Sequence, residues 1–449
     1  MSLDNTVHTY SVSQYREMLA GGQVDIAQFY QQQLAFAQVA DERLHLFASL
    51  DERVIQLQAD HLVLQRGRGE PPGKLFGVPV AVKDIIDTMD FPTACGSPLH
   101  EGRYSVADAT VVRRLRGQGA VIFGKTVTTE FATMHPGPTC NPHNPAHTPG
   151  GSSSGSAAAV AAGVVPVALG TQTNGSVLRP ASFCGVYGFK PSLGELPRSG
   201  IFEQSPSLDQ VGLFARSIED LALVGEIMTG DDGADEASRG RAPRSWLATA
   251  TSAPPLPPRF CFVRTPWWNQ MDPEAQEACE AFLELMEGVV DVVELPAAVE
   301  QAVRWLATVN DAELAQALYF EYHHHADALS PTLRQRLEKA YQITATDYLL
   351  ARNRMPHVAC AFDEFFDRYD AILSPAALGA APAGLASTGN PIMQTVWTFA
   401  GLPALSLPLL QLSGNMPFGI QAVGPHLHDA RLLRSAHWLV QEFVQRSTS

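Results

Sequence analysis

The chain has almost no lysine. Only Lys74, Lys83, Lys125, Lys190 and Lys339 occur among 449 residues, and 46 acidic residues outweigh 31 basic ones for a formal net charge of −15. A surface of that sign excludes a nucleic-acid binder that works through a basic face. Cysteine is also sparse: the six, at 95, 140, 184, 261, 279 and 360, form no CxxC pair and no metal-ligand spacing, and read as reduced, mostly buried thiols. No apolar run approaches bilayer length and no apolar h-region follows Met1, so the expected setting is soluble and cytoplasmic. Internal repeats are missing too, which removes solenoid architectures. What remains is a chain of ordinary hydrophobic content, 45%, long enough for a large core.

Taken in order, Ser11-Val12-Ser13-Gln14 has capping-box spacing and predicts a helix through about Ala20. Gly21-Gly22 ends it, Asp25 caps a second helix to about Ala40, and residues Leu44 to Gln65 continue with helical periodicity. Residues 1–70 therefore form a helical layer. From Leu75 the pattern changes: apolar runs at Gly77–Val82 and Ala120–Phe123 alternate with a helix candidate at Thr110–Gly117, an α/β arrangement. His135 to Pro149 is a proline-rich loop, and Arg239 to Pro258 reads as an exposed connection. Pro273 to Phe366 is helical in composition, Tyr369 to Pro375 and Pro403 to Pro408 return to strands, and a last helix runs from about Asp429 to Gln445. The simplest organisation is one α/β domain over residues 1–449: a core at 71–230, a helical insertion at 300–366 placed to roof a site, and a return to the core at 367–449.

Everything else is arranged around Gly150 to Ser192. Gly150-Gly151-Ser152-Ser153-Ser154-Gly155-Ser156 opens it, and the serines suit the N-cap of a helix over Ala157 to Ala162. Gly163 stops that helix. Val164 to Leu169 suits a buried strand, although Pro166 weighs against it, and a second small-residue turn follows at Gly170 to Ser176. Loop, helix, strand and loop in that order bring two serine turns to one sheet edge. A serine hydroxyl is a poor nucleophile without a base. Lys83, Lys125 and Lys190 all follow apolar or aromatic runs, so position alone selects none of them. A lysine at the end of a buried strand is desolvated and so able to act as a neutral base; for Lys83 the competing reading is an ion pair with Asp84.

Other motifs fall away. Gly151-Ser152-Ser153-Ser154-Gly155 fits G-x-S-x-G with Ser153 central, but that elbow needs a strand before it, and Asn144-Pro145-Ala146-His147-Thr148-Pro149 cannot form one. The run lacks the Lys-Ser/Thr ending of a phosphate loop. His323-His324-His325 point in different directions on a helix and read as a solvated face, and His135, His143 and His147 read as loop residues. No metal site is expected.

The Gly150–Ser192 stretch resembles the signature of the amidase signature family of serine hydrolases. In that family the first serine after paired glycines carries a cis peptide bond and the nucleophile lies 24 residues later, as Ser152 and Ser176 do here (176 − 152 = 24). The family lysine follows an apolar strand in a Lys-Asp context, matched by Gly77-Val78-Pro79-Val80-Ala81-Val82-Lys83-Asp84. The resemblance extends from about Asp25 to the last helix and includes Ser207-Leu208-Asp209-Gln210-Val211-Gly212 and Ala400 to Pro408. Gln172 and Asn174 replace an acid and a glycine of the usual turn, and Leu178 stands where an arginine is common, with Arg179 one later.

The resemblance implies a mixed central β-sheet covered on both faces by α-helices. It implies that Lys83 deprotonates Ser152, that Ser152 relays the proton of Ser176, and that Ser176 attacks the carbonyl. The amides of Thr173, Asn174, Gly175 and Ser176 would then form the oxyanion hole, without metal or organic cofactor. The expected partner is a small amide or carbamate substrate, with no nucleic acid and no membrane; a homodimer is left open. Substrate contacts are assigned to Phe131, Met134, Ser153, Arg179 and Trp397, which with Phe399 point to a hydrophobic acyl or aryl group. Aryl amides, ureas, carbamates and an esterase side activity stay open, as do an A-type subunit of a glutamine-dependent amidotransferase and a non-catalytic family member.

Overall fold

Eleven short strands, most of them completely buried, pair into a single sheet in this computed structural model, which describes residues 9–22 and 24–448. The first residues of the expected N-terminal layer, 1–8, lie outside the described residues. The strands are β1 (Phe47–Ser49), β2 (Pro79–Lys83), β3 (Val121–Thr126), β4 (Val167–Gln172), β5 (Tyr187–Lys190), β6 (Gln210–Ala215), β7 (Phe260–Val263), β8 (Val290–Val293), β9 (Ala371–Pro375), β10 (Ala404–Leu412) and β11 (Met416–Val423). Their order is β1-β3-β2-β4-β6-β5-β10-β11-β9-β7-β8. Two parallel patches, β3-β2-β4 and β9-β7-β8, flank an antiparallel centre. Strands buried on both faces read as continuous apolar runs, which is why Pro79–Val82 and Val121–Phe123 show no alternation.

Helices cover the sheet on both faces. The N-terminal layer holds α1 (Val12–Ala20), α2 (Ile26–Leu44) and α3 (Glu52–Gly67). The capping box at Ser11 and Gln14 and the Asp25 cap form as the sequence predicts. The continuous helix through Leu44 to Gln65 does not: His45 adopts a left-handed conformation, β1 intervenes, and Asp51 caps a new helix. Helices α4 (Thr110–Arg116), α5 (Ser154–Ala161), α6 (Leu178–Cys184) and α7 (Ile218–Met228) belong to the core.

Next come α8 (Leu247–Ala250) and α9 (Pro273–Leu285). The stretch from Arg239 to Pro258 is largely the exposed connection its composition suggests, except where Trp246, Ala250 and Pro258 are buried. Trp246 is buried there, edge-on to Phe189 and filling the space above Gly225, where any Cβ would strike its ring at 2.2 Å. The helical region after Pro273 is likewise interrupted by β8. Beyond it lie α10 (Ala302–Ala317), α11 (Tyr319–His325), α12 (Pro331–Ala340), α13 (Ala345–Arg352), α14 (Met355–Cys360) and α15 (Asp363–Phe366). Helix α16 (Ile392–Phe399) precedes β10, and α17 (Asp429–Ser447) closes the fold. Among the described residues no helix is long and apolar enough to cross a membrane.

Candidate active site

Lys83 is the last residue of β2, a strand flanked by two parallel neighbours, so its side chain has no route to solvent along the sheet. It is fully buried. Its Nζ donates to Ser152 Oγ at 2.7 Å and to Thr171 Oγ1 at 2.8 Å. Burial lowers its pKa from 10.5 to about 7, and the more distant Asp209 carboxylate and Cys95 oppose that shift. The ion pair with Asp84 does not form. Asp84 turns instead to Lys125, 3.3 Å away, and accepts from the Ala94 amide. Lys190 lies elsewhere, donating to Gln210 Oε1 at 2.6 Å and to the carbonyls of Pro191 and Leu402.

The serine loop splits into structural serines and one that faces the lysine. Its peptide bond Gly151–Ser152 is cis. Ser154 Oγ donates to Gly150 O, and Ser156 Oγ donates to Leu169 O. Ser153 stands at the N-cap of α5 but makes no cap bond. Its hydroxyl is tied to Thr171, donating to the carbonyl at 3.2 Å and accepting from the amide at 3.3 Å. It therefore cannot make the substrate contact expected of it. The loop lies flat against β3 because Gly155 has no side chain: a Cβ there would sit 2.2 Å from Leu46 O and 2.6 Å from Val127 N.

Ser176 sits at the opposite turn, half-buried, on the wall of a cavity of about 270 Å³. Its Oγ holds no hydrogen bond among the described residues. The amides of Asn174, Gly175 and Ser176 also meet no acceptor there. Three unpaired donors in succession, open to a cavity, can bind an anionic oxygen. Thr173 Oγ1 donates to Asp209 Oδ1 at 2.5 Å, and Asp209, pushed up to about 6 by burial, also accepts from the Ser205 amide. A recess of about 10 Å³ bounded by Thr171, Thr173 and Asp209 lies behind the turn.

The cavity roof is α10, whose Val303, Leu306, Ala307, Asn310 and Asp311 share one face and line it. Asn310 Oδ1 accepts from Gln204 Nε2, and Asp311 pairs with Arg336 at 2.7 Å.

Of the other expected substrate contacts, Met134 lines the cavity and is 46% exposed. Phe131 and Trp397 do not line it. Phe131 is buried edge-on to His100 and beside Phe202, and Trp397 packs on Phe362 in the core. Phe399, equally buried, lies tilted against Trp305. Arg179 reaches the wall, yet it is committed to the backbone: Nε donates to Thr388 O at 2.8 Å and Nη2 to Gly151 O at 2.7 Å. It braces the cis peptide and leaves only Nη1 without a partner.

His143 and His147 pin the proline-rich loop to the carbonyls of Cys184 and Ala381, and His323 to His325 are exposed. No group of three metal-ligating side chains occurs among the described residues. Sequence reasoning placed a roof in the 300–366 insertion, where α10 lies, but named none of its cavity-facing residues, and it passed over Thr171 and Gln204. Only Thr171 carried a signal, because it is a hydroxyl inside the small-residue turn.

The family model described as Amidase matches residues 29–433. The A subunit of glutamyl-tRNA(Gln) amidotransferase from Synechococcus sp. (strain WH7803) is 31% identical over 96% of this chain and 96% of its own length. Among solved structures, native peptide amidase from Stenotrophomonas maltophilia superimposes with a TM-score of 0.81 at 28% identity, covering 98% of this chain and 97% of that one. A chain from a vestigial protein complex said to reveal the evolutionary origins of an s-triazine catabolic enzyme superimposes with a TM-score of 0.89 at 27% identity, covering 96% and 98%.

Proposed function

Because this chain belongs to the amidase family, enzymes that act on carbon–nitrogen bonds, we propose that it hydrolyses small amides through Lys83, Ser152 and Ser176. The observation that carries this reading is the buried contact of Lys83 Nζ with Ser152 Oγ, beside a turn of unpaired amides at Ser176. With Lys83 neutral, two N–H bonds and one lone pair remain on Nζ. One N–H serves Thr171 Oγ1 and the lone pair takes the proton of Ser152. Ser152 in turn takes the proton of Ser176 as its Oγ attacks the substrate carbonyl, forming a C–O bond and a tetrahedral oxyanion. The amides of the 173–176 turn hold that oxyanion. Collapse breaks the C–N bond, Ser152 delivers a proton to the departing amine, and water attacking the acyl ester regenerates Ser176.

Val303, Leu306 and Ala307 on the roof favour an apolar acyl or aryl group. Aryl amides, carbamates and ureas are the substrates to try first, with activated esters as a side activity. The same reading takes the chain as one catalytic unit, cytoplasmic and independent of any cofactor.

The test is covalent. A fluorophosphonate should add once to the intact protein, mapped to Ser176, and Ser176→Ala should stay unlabelled and inactive. An adduct on Ser153 would overturn the assignment.

Curated relatives that match along nearly their whole length are the A subunits of amidotransferases, which favours a second reading: release of ammonia from glutamine for a partner protein. Copurification from the native source, with glutamine as the only amide turned over, would select it. Turnover of anilides by the isolated chain would select hydrolysis.

A further inference from the structure

Behind the candidate nucleophile, two residues of unusual type meet a helix that the mechanism above does not use. Gln172 Oε1 accepts from the amides of Val177 at 2.8 Å and Leu178 at 3.1 Å. Two N–H donors fix which end of this amide is oxygen, so Nε2 is the atom facing Thr398 Oγ1 at 3.0 Å, and it must donate. Thr398 has a single hydroxyl proton. With Gln172 donating to it, that proton goes to Asn174 O, 2.6 Å away. In a trans peptide the carbonyl and the following N–H point in opposite directions. Holding Asn174 O against α16 therefore aims the Gly175 N–H the other way, into the cavity where Ser176 sits. Thr395 Oγ1, one turn earlier on α16, lies 2.9 Å from Asn174 Oδ1 and braces the same residue. All of these side chains are buried except Asn174, so water does not compete.

We infer that Gln172 and Thr398 are positioning residues for the oxyanion-binding turn, and that the amide at 172 has to be neutral because Thr398 carries only one proton. This inference rests on the proposed role of Ser176. A carboxylate at 172 would still accept from Val177 and Leu178, but its second oxygen would draw the Thr398 proton away from Asn174 O. The peptide would then lose its anchor, with two oxygens facing each other unbonded. A side chain at 398 with two protons on one atom would serve both acceptors. The substituted turn and α16 thus form a matched pair.

The experiment measures hydrolysis of 4-nitrophenyl acetate and the fluorophosphonate labelling rate, each read alongside a thermal melt. Thr398→Val should lower kcat and the labelling rate about 10- to 100-fold with KM within twofold, since the donors act on the transition state. Thr398→Ser should stay within threefold of the parent. Gln172→Glu should fall by a similar factor, and the double variant Gln172→Glu/Thr398→Asn should recover at least fivefold, because an amide nitrogen supplies two protons. Wild-type rates in Thr398→Val, or no recovery in the double variant while all of them melt like the parent, would overturn the pairing. Ser176→Ala in parallel separates the two levels. If it still labels, the nucleophile assignment falls and the pairing with it; if it is silent while Thr398→Val reacts normally, the pairing alone falls.

Discussion

Lys83 and Lys190 sit in two different regions of the molecule, both completely buried as Lys125 also is, and burial pushes each of the two down to about 7. Around Lys83 the partners are the hydroxyls of Ser152 and Thr171, groups that can give a proton as well as accept one. Around Lys190 the partners are Gln210 Oε1 and the carbonyls of Pro191 and Leu402, which only accept, with Asp429 adding attraction for a cation. Three acceptors call for three N–H bonds, so Lys190 is satisfied only as an ammonium. Lys83 is satisfied when neutral. Desolvation is common to both regions, and the donor capacity of the neighbours is what would separate the proposed base from a structural cation.

The sharpest way to break this contrast is to remove each lysine in turn. Lys83→Met should cost at least about a thousandfold in kcat/KM on an anilide while the protein still folds, since loss of a general base in such a relay removes most of the chemistry. Lys190→Met should leave kcat/KM within a few-fold and act on stability instead. It strands three buried acceptors at about 1–3 kcal/mol each, read as a lower denaturation midpoint. Comparable losses of turnover in both variants would erase the distinction.

Next in size is Ser152→Ala. It should lower anilide hydrolysis far more than 4-nitrophenyl ester hydrolysis, because an amine leaves only when protonated whereas nitrophenolate needs no such help. Equal losses would make Ser152 a loop residue like Ser153.

The pH profile sharpens the comparison further. With Lys83 as the base, kcat/KM should climb about tenfold per pH unit below about 7 and level off above it. Lys190→Met should keep that acid limb, and Lys83→Met should flatten it in any residual esterase activity.

The smallest effect is on stability. The folded value for Lys83 is about 7 and the unfolded value is the ordinary 10.5, so between those limits the unfolded chain binds the extra proton. Stability therefore rises with pH across that window, and below about 7 the contribution is constant. Lys83→Met should remove its share of the rise. Lys190, lowered to the same value, contributes a like share, so Lys190→Met should remove that share and leave the part set by Lys83.

Part of the candidate site is legible in the sequence, where the pattern is local. The spacing from Ser152 to Ser176 and the strand ending in Lys83-Asp84 are properties of short segments, although only the family resemblance chose Lys83 over Lys125 and Lys190. The capping box at Ser11 and the Asp25 cap are likewise local and form as read. What failed depends on distant partners. Phe131 and Trp397 are near the right segments, but only the packing of His100, Phe202 and Phe362 decides that they face the core. Trp246 hides in a stretch whose composition says solvent, because it fills the space above Gly225. Strand β1 is three residues long and pairs with β3 far along the chain, so no periodicity could announce it. The α10 face became visible only once the helix was laid over the 173–176 turn.

The roof has one more consequence. Strands β8 and β9, which bracket helices α10 to α15, lie on either side of β7 and run parallel to it. The chain thus leaves the sheet at the end of β8 and rejoins it at the start of β9, two strand spacings across and at the opposite end of the parallel strands, with both anchor points set by pairing to the same neighbour. The excursion is nonetheless tied to the turn it covers: Asn310 accepts from Gln204, and Glu313 accepts from Ser205 and Ser207, whose neighbour Asp209 holds Thr173. A change in the roof is therefore felt behind the 173–176 turn.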